Sequence, residues 1–146
     1  MKLNLIVDPE KEEEITVVAK SANDFISKIE NLVLEYNGND EMIVYADDEV
    51  KTIKFLEIDC ISVIERKTLV MASNGKRYRI NDSLSSIEQK LPSYFIRINK
   101  SSIANERRIE SFATGFGGSV DAVFMCGYRD YVSRRCFAQI KKRYGI

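Results

Sequence analysis

The chain has 146 residues, 45% of them hydrophobic and 30% charged, so it is long enough to bury one core and is not typical of a disordered protein. No apolar run approaches the ~20 residues that a membrane span requires, and the N-terminus MKLNLIVDPEKEEE turns acidic too early for a secretory signal peptide. We therefore expect a soluble, cytoplasmic protein that does not insert into a membrane.

The formal net charge of zero conceals a strong asymmetry along the chain. Residues 1–60 contain 6 Lys and Arg against 15 Asp and Glu, whereas residues 61–146 contain 16 Lys and Arg against 7 Asp and Glu. Uneven surface charge within one domain is one explanation. The other is a basic surface that binds phosphate, because charge asymmetry of this kind points to nucleic acid or another anionic partner.

Cysteine and histidine usage argues against most enzyme and metal-site classes. The three cysteines, Cys60, Cys126 and Cys136, are widely spaced, which favours free thiols over a disulfide framework or a metal site. Histidine, the commonest general base, is absent from the sequence. The acidic run Asp47-Asp48-Glu49 could hold a metal, but consecutive carboxylates on a turn are usually only solvated. We expect no enzymatic activity, no metal and no cofactor.

Residues 1–40 are predicted to form a β-β-α element. Residues 3–7 and 14–19 alternate like two strands around a polar turn, and a helix follows from Ser21, with Asp24 as a variant capping box. Asn37-Gly38-Asn39 is expected to end this helix. Helical spacing relates five apolar residues, Phe25, Ile29, Leu32, Val33 and Tyr36. The stripe formed by Phe25, Ile29, Val33 and Tyr36 is predicted to pack on the core rather than to contact a partner.

From residue 42 onward the pattern becomes that of short antiparallel strands. Hairpins are predicted around Asp47-Asp48-Glu49, around Arg66-Lys67 and at Asn74-Gly75, the last being a strong turn signal. A short helix is expected at 83–90, capped by Asn81 or Asp82, before the strand FIRIN at 95–99. The remaining predicted elements are short strands at 109–112, 119–126 and 131–135, with a glycine-bearing turn at 114–119 and a terminal helix at 136–144. The predicted fold class is mostly β, with small stacked antiparallel sheets and short helices.

Three basic clusters fall at the ends of predicted strands. Arg66-Lys67 form a hairpin tip, Lys100-Ser101 follow the FIRIN strand, and Arg134-Arg135 precede the terminal helix. Arg107 lies just beyond the second cluster, and the terminal helix adds Lys141 and Lys142. Any one cluster is compatible with an ordinary polar turn. All three together favour loops that reach phosphates or base edges of a nucleic acid.

The segment FIRINKSSIANERRIESF resembles the signature of the LytTR family of DNA-binding domains. YRDYVSRRCFAQIKK is similar to the family's closing Ser-Arg-Arg segment and final helix, CISVIERKTLVMASNGKRYRI to its earlier hairpin, and DSLSSIEQKL to its internal helix. The resemblance covers roughly residues 42–146. It implies a mostly β domain whose loops, instead of a recognition helix, enter successive major grooves of duplex DNA.

Carried over to this sequence, the resemblance implies that the DNA-facing residues are Arg66, Lys67, Asn99, Lys100, Ser101, Arg134 and Arg135. Asn99 stands where many members have His, so a role particular to that His does not transfer. Arg107, Lys141 and Lys142 are predicted to bind phosphate at the flanks. Asn105 matches the family's Asn, and its side chain could equally bond its own turn.

The predicted organisation is a cap or dimerisation element at 1–40 followed by a LytTR-like domain at 41–146. The element is too short for the receiver domain to which family members are often fused. We expect a transcriptional regulator that binds duplex DNA as a homodimer on repeated half-sites, with a regulatory protein as a further partner. The alternatives are a protein-interaction module and an RNA-binding module in which Tyr94, Phe95, Tyr128 and Tyr131 stack on bases.

Overall fold

A computed structural model describes residues 1–145, in which ten strands form two antiparallel sheets accompanied by three α-helices. The mostly β fold class predicted from the sequence is confirmed. The helices are α1 (Asp24–Tyr36), α2 (Leu84–Glu88) and α3 (Arg134–Arg143). The strands are β1 (Glu41–Ala46), β2 (Glu49–Lys54), β3 (Ile58–Ile64), β4 (Lys67–Ala72), β5 (Arg77–Ile80), β6 (Phe95–Asn99), β7 (Ser102–Asn105), β8 (Ile109–Thr114), β9 (Val120–Phe124) and β10 (Arg129–Val132).

The larger sheet has seven strands in the order β2-β1-β5-β4-β3-β7-β6, and the smaller has three in the order β10-β9-β8. The predicted hairpin turns are confirmed. Gly75 adopts a φ of 83°, which glycine tolerates because it lacks a Cβ. Glu65 and Arg66 also have positive φ, 51° and 66°, as a two-residue hairpin turn of the twisted, primed type requires.

The larger sheet is covered on both faces, so its central strands alternate between two hydrophobic cores. One core contains Ile61 and Val70 with Leu84 and Ile87 of α2. The core on the other face contains Cys60, Met71 and Ile98 with residues of the smaller sheet and of α3, namely Ala122, Phe124, Val132 and Ile140. The period-2 pattern of β3 and β4 therefore carries apolar residues on both faces.

Strand β7 was not predicted, because its sequence Ser-Ile-Ala-Asn begins and ends with polar residues. All four residues are buried. The polar side chains find partners inside the fold, since Asn105 Nδ2 donates to the Ile58 carbonyl over 2.9 Å and Ser102 Oγ lies 2.6 Å from Ser62 Oγ. Burial of these groups is tolerated because each is hydrogen-bonded. The polar loop expected after FIRIN thus reduces to a two-residue turn, Lys100-Ser101.

The predicted helices are present, but their N-caps differ from the predicted ones. Asn23, not Ser21, caps α1, and its Oδ1 accepts from the Ile26 amide over 3.0 Å. Ser83, not Asn81 or Asp82, caps α2 by accepting from the Ser86 amide. In both cases a side-chain oxygen accepts from the amide three residues later, and this cap determines the start of the helix.

The prediction of strands at 3–7 and 14–19 is wrong. Residues 1–23 contain neither strand nor helix, and Leu3, Leu5, Val7 and Ile15 are exposed. The alternating pattern lacks a partner strand to satisfy the backbone, and a two-stranded hairpin without a packed face is marginal in water.

The expectation that the stripe on α1 packs on the core is also wrong. Phe25 and Tyr36 of this stripe are 51% and 78% exposed, and the adjacent Leu32 is 64% exposed. The helix contacts the domain through its opposite side, where Glu30 accepts from the Ser93 amide and hydroxyl and Tyr94 Oη donates to Asn31 Oδ1 over 3.2 Å. These polar contacts, together with the packing of Leu34 against the core, determine which side of α1 faces inward.

Three further findings concern classes of site considered from the sequence. Cys60, Cys126 and Cys136 are free thiols, as predicted. Among residues 1–145, no three His, Cys, Asp or Glu side chains are grouped so that they could hold a metal ion. None of the helices in this part of the chain is long and apolar enough to cross a membrane.

Candidate nucleic-acid interface

The β3–β4 turn presents the first basic cluster. Glu65 and Arg66 form the turn and Lys67 begins β4, and all three residues are exposed. The positive φ values of Glu65 and Arg66 make this a tight hairpin turn, so the tip is short and is held by the two strands on either side. Arg66 and Lys67 thus project from a rigid support.

The β6–β7 turn presents the second cluster, and it is held by hydrogen bonds from inside the fold. Asn99 is only 2% exposed: its Oδ1 accepts from the Ser101 amide and its Nδ2 donates to the Tyr131 carbonyl, both over 2.8 Å. Arg97 donates to the Lys100 carbonyl over 2.8 Å. Lys100 is exposed at the tip. The side chain of Asn99 therefore fixes the turn from below, and Lys100 is left free to reach outward.

The start of α3 presents the third cluster. Ser133 caps the helix by accepting from the Cys136 amide over 3.2 Å, and the exposed Arg134 and Arg135 occupy the first turn. No acidic residue lies in this turn. Two cations beside the positive end of the helix dipole are unfavourable unless an anion neutralises them, so the arrangement is that of an anion-binding helix terminus.

Backbone hydrogen bonds bring these three clusters to the same end of the molecule. The Val63 amide, near the end of β3, donates to the Ser101 carbonyl over 2.8 Å. The Ser133 amide, just before α3, donates to the Ile98 carbonyl over 2.8 Å. The β6–β7 turn is therefore the middle member of the group, with the β3–β4 turn on one side and the start of α3 on the other. We refer to Arg66, Lys67, Lys100, Ser101, Arg134 and Arg135 as the basic loop surface.

A buried polar network supports the basic loop surface. Ser102 Oγ donates to Asp130 Oδ2 and lies against Ser62 Oγ, so β3, β7 and β10 are joined directly below the loops. Tyr128 contacts Asp130 over 3.5 Å, and burial raises the pKa of its hydroxyl. Burial likewise raises the pKa of the neighbouring Cys60 thiol well above its usual value, which keeps it protonated. The hydrogen bonds among Ser62, Ser102 and Asp130 therefore link the three strands beneath the loops.

The remaining predicted site residues lie away from the loop tips. Lys141 and Lys142 are exposed in the last turn of α3, where Lys141 stacks over the Phe137 ring at 5.2 Å. Arg107 lies beyond the opposite end of β7 from the Lys100-Ser101 turn and pairs with Asp24 of α1 over 3.2 Å. The sequence places Arg107 close to Lys100, but the intervening strand carries it to the far end of the sheet.

One exposed group beside this surface was missed from the sequence. Phe116, at the tip of the β8–β9 loop, is fully exposed. The following Gly117, Gly118 and Ser119 line a groove whose other wall includes Arg134, Phe137 and Lys141 of α3. The signal available from the sequence was an aromatic residue in a glycine-rich turn. A turn of that composition rarely carries a large apolar residue without a partner.

The molecule is thus a mostly antiparallel β domain that gathers three basic loops at one end. Comparison with known proteins agrees with this class, since the family model of the LytTr DNA-binding domain matches residues 48–145. The chain belongs to the LytTr DNA-binding domain family.

Individual proteins similar to this chain include regulators and a solved domain. The chain is 31% identical over 147 residues to HTH-type transcriptional regulators, themselves uncharacterised, of Staphylococcus aureus strains MSSA476 and N315, covering 100% of this chain and 99% of each relative. The fold is similar to that of the LytTr DNA-binding domain of a methyl-accepting/DNA response regulator from Bacillus cereus. That match has a TM-score of 0.66 and 22% identity and covers 73% of this chain and 98% of the solved one.

Proposed function

We propose that this protein is a sequence-specific transcriptional regulator that inserts the basic loop surface into the major groove of duplex DNA. The observation that carries the proposal is the convergence of three exposed basic loops on one rigid end of the sheet. Membership of a DNA-binding domain family and similarity to transcriptional regulators support it. The three helices are separated by strands, so a helix-turn-helix arrangement is not available within residues 1–145.

The basic residues are proposed to divide between reading bases and holding phosphates. Lys100 at its turn and Arg135 at the start of α3 are candidates for guanine edges, since Lys and Arg donate to guanine O6 and N7 in the major groove. The same surface also contains four residues that lie around Lys100 and Arg135, namely Arg66, Lys67, Ser101 and Arg134. Lys141 and Lys142 lie one helix length away, in positions suited to flanking phosphates.

Asn99 and Arg107 are proposed to serve the interface indirectly. The amide group of Asn99 is already engaged with Ser101 and Tyr131, so its contribution is to hold the reading turn in place. Arg107 pairs with Asp24 at the other end of the sheet, and its contribution is to attach α1 to the domain.

The burial of two aromatic residues argues against the RNA-binding alternative. Tyr94 is fully buried and Phe95 is 9% exposed, so neither can stack on a base without unfolding of the core. Tyr131, half exposed, is the one member of the proposed stacking set that projects substantially into solvent. Duplex DNA fits the surface better, because loops held by a rigid sheet can enter a groove about 12 Å wide.

We further propose that the regulator acts in the cytoplasm, as a homodimer on repeated half-sites, and that a regulatory protein controls it. One domain of this size reads only a short site, so useful specificity requires two copies. Residues 1–40 are proposed as the dimerisation element and residues 41–146 as the DNA-binding domain. α1 supports this division, because it is joined to the domain by polar contacts at the end away from the basic loop surface.

The test is selection of bound duplexes from a random pool, followed by affinity measurements on the selected sequence, a scrambled duplex and the matching single strand. A preference for the selected duplex of about a thousandfold over scrambled DNA is expected for specific recognition. Equal affinity for all three nucleic acids would refute the proposal.

A further inference from the structure

Helix α1 presents an apolar stripe to solvent and turns its other, mostly polar side to the domain. The inward side is formed by Ser27, which is 6% exposed, by Glu30 and Asn31, which hydrogen-bond to Ser93 and Tyr94, and by Leu34, which packs against the core. Successive helical residues are ~100° apart, so Phe25, Ile29, Leu32 and Tyr36 lie on the opposite side. A helix docked in this orientation exposes an apolar stripe that needs a partner.

The spacing of the stripe is that of a coiled-coil seam. Phe25, Ile29, Leu32 and Tyr36 follow one another at intervals of four, three and four residues, which is the a/d spacing of a heptad. Contact with the domain already holds α1 in its helical conformation, so association does not need to fold it first. The stripe is therefore suited to one further helix lying along it.

The charges beside the stripe indicate which helix that is. With Ile29 and Tyr36 at a positions, Lys28 and Glu35 occupy the two g positions, and both are exposed. In an antiparallel pair of identical helices, Ile29 packs against Leu32 of the second copy and Phe25 against its Tyr36. The same register brings Lys28 of each copy beside Glu35 of the other, twice in the dimer.

We propose that α1 is a self-association surface, on which α1 of a second copy of this chain packs antiparallel. The two-fold axis crosses the seam midway between Ile29 and Leu32, and the interface contains two Lys28–Glu35 pairs. The opposite flank is apolar in both copies, because Ile26 faces Val33. This inference deepens the proposed function by naming the surface that joins the two copies on DNA.

Other occupants fit the stripe less well. A helix that lies on a membrane surface carries an excess of Lys and Arg on its polar side, whereas this helix has one Lys and is part of an acidic half of the chain. A parallel pair would place Lys28 beside Val33 and leave Glu35 without a partner. The antiparallel pair satisfies both charges and buries the whole stripe.

The basic loop surface remains free in this dimer. Contacts of α1 with the domain involve Ser93, Tyr94 and Arg107, near the end of the sheet away from the Lys100-Ser101 turn. A seam 13 residues long is small for a permanent dimer, so the association is expected to depend on protein concentration.

The test is sedimentation of the full chain over a concentration series, without DNA, for a set of charge variants. Lys28→Glu places like charges together twice in the homodimer, as does Glu35→Lys, so each variant is expected to raise the dimer dissociation constant about tenfold. An equimolar mixture of the two variants places opposite charges together at both positions. The mixture is expected to dimerise about as well as the wild type. The chain that carries both Lys28→Glu and Glu35→Lys is expected to do the same.

A hydrophobic pair of variants provides the matched control. Leu32→Glu places a charge in the seam and is expected to make the protein monomeric, whereas Val50→Glu on the edge strand β2 is expected to leave dimerisation unchanged. The two replaced residues are similarly exposed, 64% and 67%. Circular dichroism of both variants checks that they fold.

Four outcomes would overturn the inference: a wild type that stays monomeric at every attainable concentration, a Leu32→Glu variant that still dimerises, a mixture of charge variants that does not recover, or loss of the dimer in Val50→Glu. Duplex binding measured on the same samples reports on the proposed function alone. A wild-type dimer that binds no DNA would refute that function and still support the α1 interface.

Discussion

Arg135 and Lys100 stand at two of the three convergent loops, whereas Lys141 and Lys142 lie at the other end of α3. Replacement of Arg135 or Lys100 by Ala should therefore cost ~1–3 kcal/mol of DNA-binding free energy and relax the preference at particular base pairs. Replacement of Lys141 or Lys142 by Ala should weaken selected and random duplexes alike, and reduce the salt slope by about one. Affinities for the selected duplex and each of its single-base variants measure the difference.

The folded state should survive all four substitutions, because exposed charges contribute little to stability. Circular dichroism checks this. If Arg135→Ala and Lys100→Ala reduce affinity for every sequence by the same factor, these two side chains hold phosphates and the assignment of reading residues is incorrect.

Phe116 provides a test of how far the DNA contact extends along α3. Because the ring is fully exposed, Phe116→Ala should change the free energy of unfolding by less than about 0.5 kcal/mol. If the β8–β9 loop lies against DNA, the same variant should lose about 1 kcal/mol of binding free energy, since contact with DNA removes the ring from water. Exposed Phe25, replaced by Ala, is the control that should leave affinity for a single half-site unchanged. Unaltered DNA affinity in Phe116→Ala would limit the interface to the basic loop surface.

The two sheets are joined by a buried carboxylate, Asp59, at the start of β3. It accepts hydrogen bonds from Ser73 Oγ and Arg108 Nε over 2.7 Å and from the Cys126 amide over 2.9 Å, and it is fully buried. One side chain thereby connects the larger sheet to the turn between β9 and β10, and that hairpin leads directly into α3 with its two arginines.

Asp59→Asn should destabilise the fold by about 3 kcal/mol, because Arg108 loses its buried charged partner and one donor is left unsatisfied. Chemical denaturation with a two-state fit measures the loss. Glu57→Gln, at an exposed acidic position two residues earlier, is the control that should remain within about 0.5 kcal/mol of the wild type. A similarly small effect in Asp59→Asn would show that the two sheets are held together by apolar packing alone.

Much of the fold could be predicted because turn signals separate its strands. Asn74-Gly75 and the Asp47-Asp48 turn mark hairpins by their own chemistry, and the alternation on either side then assigns the strands. Strand β7 could not be predicted in this way, since Ser102 and Asn105 are buried only because partners distant in sequence accept or donate their hydrogen bonds. The outward orientation of the α1 stripe could not be predicted for a related reason. Periodicity identifies the apolar side of a helix but does not indicate whether that side faces the core.

The basic clusters were recognised from the sequence, but their grouping required the structure. Lys100 and Arg107 are close in sequence and lie at opposite ends of β7, whereas Arg66, Lys100 and Arg135 are distant in sequence and belong to adjoining loops. Strand pairing between β3, β6 and β7 and the hydrogen bond from Ser133 to Ile98 produce that arrangement.

The asymmetry of charge along the sequence is also, in part, a separation of charge between the two ends of the molecule. The acidic first 60 residues include α1, which is attached to the domain at the end away from the basic loop surface. If the proposed contacts of this surface neutralise phosphates, counterions are released and the affinity depends on salt concentration.

The dependence of DNA affinity on salt tests the central claim most directly. The measurement is the equilibrium constant for the selected duplex across a range of salt concentrations. If the basic loop surface and α3 neutralise about 4–6 phosphates, the logarithm of the binding constant should fall against the logarithm of salt with a slope of about −4 to −5. A flat salt response, or binding that is as tight to a scrambled duplex at every salt concentration, would contradict recognition of DNA by this surface.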